Sequence, residues 1–443
     1  MKKFIKLFIC VCLCVVSLTF TACGKKSKIE APSSNAPVSS NGGIVVQKGD
    51  FLYYANGYNS VDNVKKSDLD KKYRLGGLYV TKTDSARDEN GSLKYNNRLS
   101  SKLSSFEATD LNIFGDYMYY TTINTEETKN GGLQTKHLEI YRVKLNSTGS
   151  KRVYRSGVNF EDSEGKRVVD FNYYEEKGQV YITIFENGTI KRVSCGGSVS
   201  GASTVARNVL SYKTEGSKTY FVTVNDDNRY ELNIYNAVSN KIETKLAMDK
   251  DDTISSIFDV KFNNVYFYAT FSNVGSEYLY RMPIESIVNK ESIRTSSVKL
   301  TATSYTSLYL LDNYSDGILA FSSSKVEIID EVKPLENIEL QSNMPTDATI
   351  MKVEGGYVYF YKDKDIKRWN YIDDTVENVY TETNSICSYA FDIVGDYLYY
   401  YTTVNTNDYL FRVSISGVLE EKKAELMGVY ESADVPEKEE DND

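Results

Sequence analysis

A short tyrosine-rich segment recurs along this chain of 443 residues, and the repeat constrains the fold more than any other feature. Two copies are nearly identical, "GDYMYYT" at 115–121 and "GDYLYYY" at 395–401. Related segments, each preceded by a turn, start at residues 49, 115, 178, 217, 263, 316, 355 and 395. The clearest neighbours are 39 or 40 residues apart, and several copies are followed by a second strand such as "YLFRV" at 409–413. A period near 40 residues with several strands per unit predicts an all-β fold, the β-propeller.

The composition favours strands. The chain has 37 tyrosines and only six prolines, and runs of aromatic and β-branched residues between turn residues are typical of strands. The run "YLYYY" is apolar or aromatic on both faces, as expected for a blade that packs against a neighbour on each side. Eight segments favour eight blades. Because the unit "ILAFSSSKVEII" at 318–329 is degenerate, seven blades is the alternative.

The first 22 residues have the pattern of an export signal. A lysine-containing start precedes the apolar run "LFICVCLCVVSLTFTA" at 7–22, which is shorter than the roughly 20 residues of a membrane-spanning helix. The segment "FTAC" at 20–23 resembles the bacterial lipobox, in which the cysteine becomes the lipid-modified first residue. The sequence therefore predicts a signal peptide over 1–22 and a lipid anchor on Cys23. Such an anchor would hold the protein on the cell membrane, facing outside the cytoplasm.

Composition also divides the rest of the chain. Residues 23–42 are rich in Ser, Pro, Asn, Gly and Lys, which predicts a disordered linker behind the lipidated cysteine. Residues 43–431 contain all the repeats and form the predicted propeller. Residues 432–443 form an acidic tail that we expect to be disordered. The formal net charge of −9 argues against nucleic acid as a partner.

Two repeats resemble a known group of propellers. The segments "VYFYKDKDIKRWNYIDD" (358–374) and "YLYYYTTVNTNDYLFRVSISG" (397–417) are similar to the Tyr-Trp-Thr-Asp propeller repeat of the low-density-lipoprotein-receptor type. Together with the lipobox, the units resemble the uncharacterised propeller lipoproteins of Gram-positive bacteria. The Trp-Thr-Asp core is absent from every unit. The resemblance therefore implies a propeller with a recognition role, and it carries over no catalytic residue.

Residue types that carry common enzyme chemistry are scarce. His137 is the single histidine, which excludes zinc sites built from several histidines and leaves one candidate for a Ser-His-Asp triad. We expect this histidine at the exposed end of a loop. No P-loop, dinucleotide-binding glycine motif or EF-hand loop occurs, so no metal site and no cofactor are predicted. Cys195 and Cys387 either pair with each other or fill apolar space.

Charged residues recur at equivalent places in the repeats. An arginine follows the tyrosine strand in five units, and an aspartate precedes the turn in four of them. Matched opposite charges favour internal bidentate pairs that tie strands together over a ring of arginines that binds a ligand. The predicted ion-pair residues are Arg142, Arg192, Arg281 and Arg412 with Asp110, Asp170, Asp259 and Asp392, and Arg368 occupies the same place in a fifth unit.

These features leave two classes of function open. The first is a membrane-anchored recognition or scaffold module in the cell envelope, which binds a protein, peptide or glycan without catalysis. The alternative is a carbohydrate-active propeller enzyme that uses carboxylates alone. Long segments at 56–76, 124–136 and 156–167 are predicted to share one face of the propeller. For the recognition module, we expect a partner on that face to contact Tyr58, Tyr73, Lys65 and Lys66.

Overall fold

The computed structural model folds into eight antiparallel sheets, each built from strands that are consecutive in the chain. The predicted all-β propeller with eight blades is confirmed, and the alternative of seven blades is excluded. The structure describes residues 29–58, 75–87, 93–99, 108–127, 129, 133–158, 169–195, 201–301, 305–331, 343–404 and 407–427.

Blades 1 to 3 take up the propeller as far as residue 206. Blade 1 comprises β1 (Val38–Ser40), β2 (Val45–Lys48), β3 (Phe51–Ala55), β4 (Leu78–Lys82) and β5 (Asn96–Arg98). Blade 2 comprises β6 (Thr109–Phe114), β7 (Tyr117–Glu127), β8 (Leu133–Lys144) and β9 (Lys151–Arg155). Blade 3 comprises β10 (Val169–Glu176), β11 (Gln179–Glu186), β12 (Thr189–Ser194) and β13 (Ser203–Ala206).

Blades 4 to 6 follow without a break in the order of strands. Blade 4 comprises β14 (Ser211–Glu215), β15 (Lys218–Val224), β16 (Tyr230–Asn236) and β17 (Lys241–Ala247). Blade 5 comprises β18 (Thr253–Lys261), β19 (Asn264–Thr270), β20 (Glu277–Pro283) and β21 (Val298–Lys299), with the short helices α1 (Ile284–Val288) and α2 (Ile293–Ser296) before its last strand. Blade 6 comprises β22 (Ser307–Leu310), β23 (Ile318–Phe321) and β24 (Val326–Ile329), with a 3-10 turn at Tyr314–Asp316.

Blades 7 and 8 complete the ring. Blade 7 comprises β25 (Thr349–Glu354), β26 (Tyr357–Lys362), β27 (Asp365–Asn370) and β28 (Thr375–Thr381). Blade 8 comprises β29 (Ser385–Val394), β30 (Tyr397–Val404), β31 (Asn407–Ser414) and β32 (Glu425–Leu426), with a 3-10 turn at Leu419–Glu421. The tyrosine-rich segments that define the repeat form the second strand of a typical blade, for example β7 and β30.

Alternating side chains of these strands enter two different cores. On β7, Met118 and Tyr120 pack against blade 1, in a core that includes Tyr53. Between them, Tyr119 points the other way and packs with Val180 and other residues of blade 3. Successive side chains on a strand point to opposite faces, so both faces of the blade are covered by neighbours. This packing explains why the strands lack the apolar–polar alternation of a half-exposed sheet.

Blades 8 and 1 meet without a shared strand in the described part of the chain. Two features join them at the junction that we call the seam. The backbone N–H groups of Ile44 and Val45 donate to Oδ2 of Asp392, at 2.6 and 3.0 Å. Tyr58 and Asp408 exchange two backbone hydrogen bonds, of 2.8 and 3.0 Å. Because a β-carbon on residue 43 would lie 2.0 Å from Asp392 Oδ2, only glycine fits beside this carboxylate.

The segment that precedes β2 lies against the first strand of blade 2. The side-chain amide of Asn41 bonds to both backbone groups of Ile113, at 2.6 and 3.2 Å. Gly42 and Gly43 then exchange backbone hydrogen bonds of 2.7 and 2.9 Å with Leu111. Part of the predicted linker, residues 23–42, therefore pairs with the propeller, because Asn41 imitates the backbone of a strand partner.

A buried carboxylate fastens helix α2 to blade 5. Asp252 is 3% exposed and accepts two hydrogen bonds from the Arg294 guanidinium, at 2.6 and 3.0 Å, as well as one from the Ser272 N–H at 2.8 Å. Burial alone raises the pKa of Asp252, but the bonds from Arg294 and Ser272 outweigh it and hold the pKa below its usual range. The carboxylate is therefore bound in its charged form.

We expect Asp252→Asn to lower the urea midpoint of unfolding at pH 7. The decrease should be much smaller below about pH 4, the ordinary pKa of an aspartate. A depressed folded-state pKa contributes stability above the unfolded pKa, and that contribution is lost as the pH falls through the folded pKa. Urea titrations of both proteins at pH 7 and pH 3 measure the difference. An equal difference at the two pH values would contradict the role of the charged carboxylate.

Both internal cysteines are buried and free, so Cys195 and Cys387 do not pair. This outcome agrees with their interpretation as apolar fillers. Within the described residues, helices are too short and too polar to cross a membrane.

Candidate functional site

A cavity of about 440 Å³ opens at the seam, near the points where β2 and β6 begin. Strand β2 of blade 1 contacts β6 and β29, the first strands of blades 2 and 8, so these strands lie around the centre of the ring. The cavity is bounded by blades 1, 2, 7 and 8. Its lining residues are Gly42, Gly43, Ile44, Thr109, Asp110, Thr121, Thr122, Ile123, Leu138, Lys352, Tyr389, Ala390, Phe391, Asp392 and Tyr401.

Asp110 lies on the wall of the cavity formed by blade 2. Its Oδ2 accepts hydrogen bonds from the hydroxyl groups of Thr121, at 2.7 Å, and Thr109, at 3.1 Å. The register of β6 and β7 shifts between Thr109 and Asn112, and Asp110 has a φ of 51° in the left-handed region. Non-glycine residues rarely adopt this conformation, with aspartate and asparagine among the exceptions. The irregular strand therefore fixes the position of this carboxylate.

Thr122 contributes a hydroxyl group that lacks a protein partner. Its side chain is 2% exposed and lines the cavity, and its Oγ1 makes no hydrogen bond to the described residues. Buried hydroxyl groups are nearly always hydrogen-bonded, since an unsatisfied one is unfavourable by about 1 to 3 kcal/mol. A polar group of a ligand or a water molecule in the cavity would satisfy this hydroxyl.

Asp392 and Lys352 lie on the opposite wall of the cavity. Besides its two bonds from blade 1, Asp392 has Oδ1 at 3.8 Å from Lys352 Nζ. Burial raises the pKa of Asp392, although the bonds from Val45 and Ile44 and the charge of Lys352 oppose this effect. The lysine side chain is 39% exposed, and its ammonium group can therefore donate to a molecule in the cavity as well as to Asp392.

The recurrent arginines have structural partners, which differ from the predicted aspartates. Arg142 donates to the carbonyl of Cys195 at 3.2 Å, Arg192 to that of Ala237 at 2.7 Å, and Arg281 to that of Glu331 at 2.9 Å. In each case the acceptor follows the third strand of the next blade. These arginines therefore connect neighbouring blades.

Two further arginines bond within their own blades. Arg412 donates to Glu425 at 2.7 Å and Arg368 to Glu377 at 2.7 Å. The structure thus replaces the predicted Arg412–Asp392 pair with Arg412–Glu425, because Asp392 faces the backbone of blade 1. Four of the five arginines also lie over a tyrosine ring, with the guanidinium carbon 4.4 to 5.0 Å from the ring centre, a cation–π contact. These pairs are Arg142–Tyr117, Arg192–Tyr181, Arg368–Tyr357 and Arg412–Tyr397.

The remaining predicted aspartates bond locally or to the next blade. Asp170 accepts from the Phe171 N–H at 2.8 Å and from the Tyr212 hydroxyl of blade 4. Asp259 accepts from the Val260 N–H at 2.8 Å. Of the eight predicted ion-pair residues, the structure brings only Asp110 and Asp392 to the cavity.

Other predicted residues lie apart from the cavity or outside the described residues. Tyr58 packs at the seam, with its ring centre 6.3 Å from that of Tyr389. His137 is half-buried instead of exposed, because its Nδ1 lies 2.8 Å from the Val158 carbonyl oxygen. Residues Cys23, Lys65, Lys66 and Tyr73 lie outside the described residues. The described residues contain no group of three acidic, histidine or cysteine side chains able to hold a metal ion.

The segment 124–136, predicted to be a long loop, is largely an extension of a hairpin. Strand β7 continues to Glu127 and β8 starts at Leu133, with Thr125 opposite Thr135. Of the segments 56–76 and 156–167, the structure describes only the ends.

No protein-family model matches this sequence, and no curated protein matches it. Among solved structures, it is similar to the β-propeller domain of the trilobed protease from Pyrococcus furiosus, at 12% identity over 72% of this chain and 96% of that one, with a TM-score of 0.35. The acylaminoacyl peptidase of Pyrococcus horikoshii matches at 12% identity and a TM-score of 0.40, over 71% of this chain and 51% of that one. Dipeptidyl peptidase 4 of Porphyromonas gingivalis matches at 9% identity and a TM-score of 0.46, over 87% of this chain and 58% of that one.

These matches correct the predicted function. The chain spans about half the length of the two whole peptidases, and what it shares with all three proteins is the propeller fold. The three proteins are peptidases or parts of one. The prediction of a non-catalytic recognition or scaffold module in the cell envelope is therefore wrong, as is its alternative of a carbohydrate-active enzyme. What the similarity shows for this chain is the propeller fold.

Proposed function

We propose that this propeller binds an extended peptide in the cavity at the seam. The proposal is based on the way in which the chain already binds its own backbone beside the cavity. Asn41, Gly42 and Gly43 lie along β6 through hydrogen bonds of 2.6 to 3.2 Å, and the cavity continues from Gly42 and Gly43. Addition of an extended segment to an exposed strand is a common mode of peptide recognition.

The lining of the cavity suits the groups of a peptide. Thr122 offers a hydroxyl without a partner among the described residues, and Lys352 offers a donor for a carbonyl oxygen. Ile123, Leu138 and Phe391 supply apolar surface for side chains. A volume of about 440 Å³ lies within the range of about 300 to 1,000 Å³ that is common for small-ligand sites.

The lining of the cavity does not contain the residues of a Ser-His-Asp hydrolase. The single histidine, His137, has its Nδ1 next to a backbone carbonyl and is not among the cavity lining. A hydrolase of the Ser-His-Asp type needs the imidazole within hydrogen-bond reach of its nucleophile. We therefore propose peptide binding as the role of the cavity.

Equilibrium dialysis of the full chain against pooled tetrapeptides tests the proposal, with mass spectrometry to identify the peptides that are retained. We expect retention of some tetrapeptides by the wild type and at least tenfold weaker retention by Thr122→Val and by Lys352→Met, since each variant removes one polar partner. Lys245→Met, which changes an exposed lysine on blade 4, is the control and should bind like the wild type. No retention, or equal retention by all four proteins, would overturn the proposal.

The predicted lipid anchor is a separate proposal about location, and so is the resemblance to the propeller lipoproteins of Gram-positive bacteria. Two acyl chains bind a membrane stably, because each buried methylene contributes about 0.8 kcal/mol. We expect Cys23→Ala to move the protein from the detergent phase to the aqueous phase in phase partitioning. Cys387→Ala is the control, because this thiol is buried in the propeller. Wild-type partitioning of the Cys23→Ala variant would rule out the anchor at this residue.

A further inference from the structure

We infer that the cavity takes an aromatic side chain of the bound peptide, which packs against the ring of Tyr389. This inference rests on the proposed function and specifies the class of peptide that fits the same site. Phenylalanine, tyrosine and tryptophan share the flat ring that this surface selects.

Tyr389 presents an exposed aromatic ring at the cavity. It is 57% exposed and lines the cavity, whereas Tyr399, Tyr400 and Tyr401 on the neighbouring strand β30 are at most 3% exposed. Tyrosine is among the residues that contribute most to the affinity of binding surfaces, because its ring offers a large apolar area. The exposed ring is therefore available to a molecule in the cavity.

Contacts on several sides fix the position of this ring. Its hydroxyl group donates a hydrogen bond to Oδ2 of Asp408. The rings of Tyr58 and Tyr401 pack against it edge to face, with their centres 6.3 and 5.9 Å from its own. A side chain that is already held in place loses little conformational freedom when a ligand packs against it. The Tyr389 ring is thus preorganised for binding.

The strand that carries Tyr389 is irregular at this point. In β29, Ile386 lies opposite Thr402 and Phe391 lies opposite Tyr400. Between these two pairs, four residues of β29 stand against one residue of β30. A bulge of this kind redirects side chains and is frequent next to functional sites. The irregular register therefore explains how Tyr389 comes to face the cavity and the solvent instead of the core.

The rest of the cavity is compatible with an aromatic side chain. Ile123, Leu138 and Phe391 add apolar surface to the lining. In the proposed function, Thr122 and Lys352 bind polar groups of the peptide, so the ring of Tyr389 adds selectivity without replacing them. Two aromatic rings attract each other beyond the effect of the buried area, whereas an aliphatic side chain has the effect of burial alone. The cavity should therefore prefer phenylalanine over leucine.

Equilibrium dialysis of the full chain with alanine tetrapeptides measures this preference. Each peptide is acetylated and amidated, so that its ends carry no charge, and has phenylalanine, leucine or only alanine at each position in turn. We expect the best phenylalanine peptide to bind the wild type about two- to tenfold more tightly than its leucine counterpart. Tyr389→Leu should remove most of this preference and leave binding of the leucine peptide nearly unchanged. Tyr389→Phe should keep the preference, because the ring and its two aromatic neighbours remain.

Tyr309→Leu, which changes an exposed tyrosine on blade 6, is the matched control and should bind like the wild type. Equal binding of phenylalanine and leucine peptides by the wild type would overturn the inference. A preference that persists in Tyr389→Leu, or that disappears in Tyr389→Phe, would overturn it as well. If Thr122→Val weakened binding of every peptide in those cases, the proposed peptide site would stand. Failure of every peptide to bind the wild type would overturn both.

Discussion

Gly43→Ala is expected to lower the free energy of unfolding by about 2 to 4 kcal/mol, because it breaks the hydrogen bonds that close the ring. The new methyl group would lie 2.0 Å from Asp392 Oδ2, so the carboxylate must move away. The N–H groups of Ile44 and Val45 would then lose their acceptor. Urea denaturation followed by circular dichroism measures the change. Gly201→Ala is the control, because a β-carbon there meets no atom within 4 Å.

A double-mutant cycle with Asp392→Ala separates this mechanism from a general intolerance of alanine at residue 43. Asp392→Ala removes the atom with which the methyl group collides, so the two losses of stability should overlap instead of adding. Additive losses, or a loss below about 0.5 kcal/mol for Gly43→Ala, would contradict the closure of the ring by Asp392.

Arg281→Met is expected to destabilise the propeller by about 3 kcal/mol or more, because it leaves a carboxylate buried without its cation. The partner is Glu331, whose side chain is fully buried and whose carboxylate lies 3.8 Å from the guanidinium. Burial raises the pKa of Glu331, and bonds from Tyr266 and the charge of Arg281 oppose the effect. The variant also removes the bond from Arg281 to the Glu331 carbonyl. Thermal and urea denaturation measure the loss.

Arg368→Met is the matched control, because this arginine occupies the same place in its repeat but pairs with Glu377, which is 52% exposed. Exposed pairs contribute at most about 1 kcal/mol, so this variant should lose little stability. Replacing both members of the buried pair, Arg281→Met with Glu331→Gln, should recover much of the loss. Equal effects of the two single variants would contradict the role of the buried carboxylate.

The number and type of blades were predictable because the sequence repeats what each blade needs. Residues Met118, Tyr119 and Tyr120 are apolar or aromatic in succession, and each reaches one of two cores. The same pattern recurs in "YLYYY", so the period of about 40 residues locates the strands. Even the degenerate unit at 318–329 keeps enough apolar residues to form β23 and β24.

The partners of charged side chains were not predictable in the same way. Aspartate and arginine recur in register, yet Asp392 accepts from blade 1 and Arg281 bonds to blade 6. These contacts join residues 50 or more positions apart, and their geometry depends on how neighbouring blades pack. A repeat shows which positions are equivalent within blades, but it does not show which atoms of neighbouring blades contact one another.

Only part of the site had a signal in the sequence. The segment "YYTT" occurs at 119–122 and again at 400–403, and the first copy supplies Thr121 and Thr122 to the cavity. When the repeats at 115–121 and 395–401 are aligned, however, Tyr401 takes the place of Thr121 and also lines the cavity. Thr402 takes the place of Thr122 and bonds to the Ser385 carbonyl. The two segments are therefore one residue out of register, and their shared letters do not mark equivalent positions. No sequence pattern indicated that Lys352 lines the cavity, because its position there depends on how blade 7 packs against the seam.

The most direct test is a crystal structure of the full chain with the tetrapeptide that dialysis selects. The account predicts electron density for an extended peptide in the cavity next to Asn41, Gly42 and Gly43. A peptide oxygen should lie within a normal hydrogen-bond distance of about 2.7 to 3.2 Å from Lys352 Nζ. Peptide density at another surface of the propeller, with the cavity filled by water alone, would contradict it.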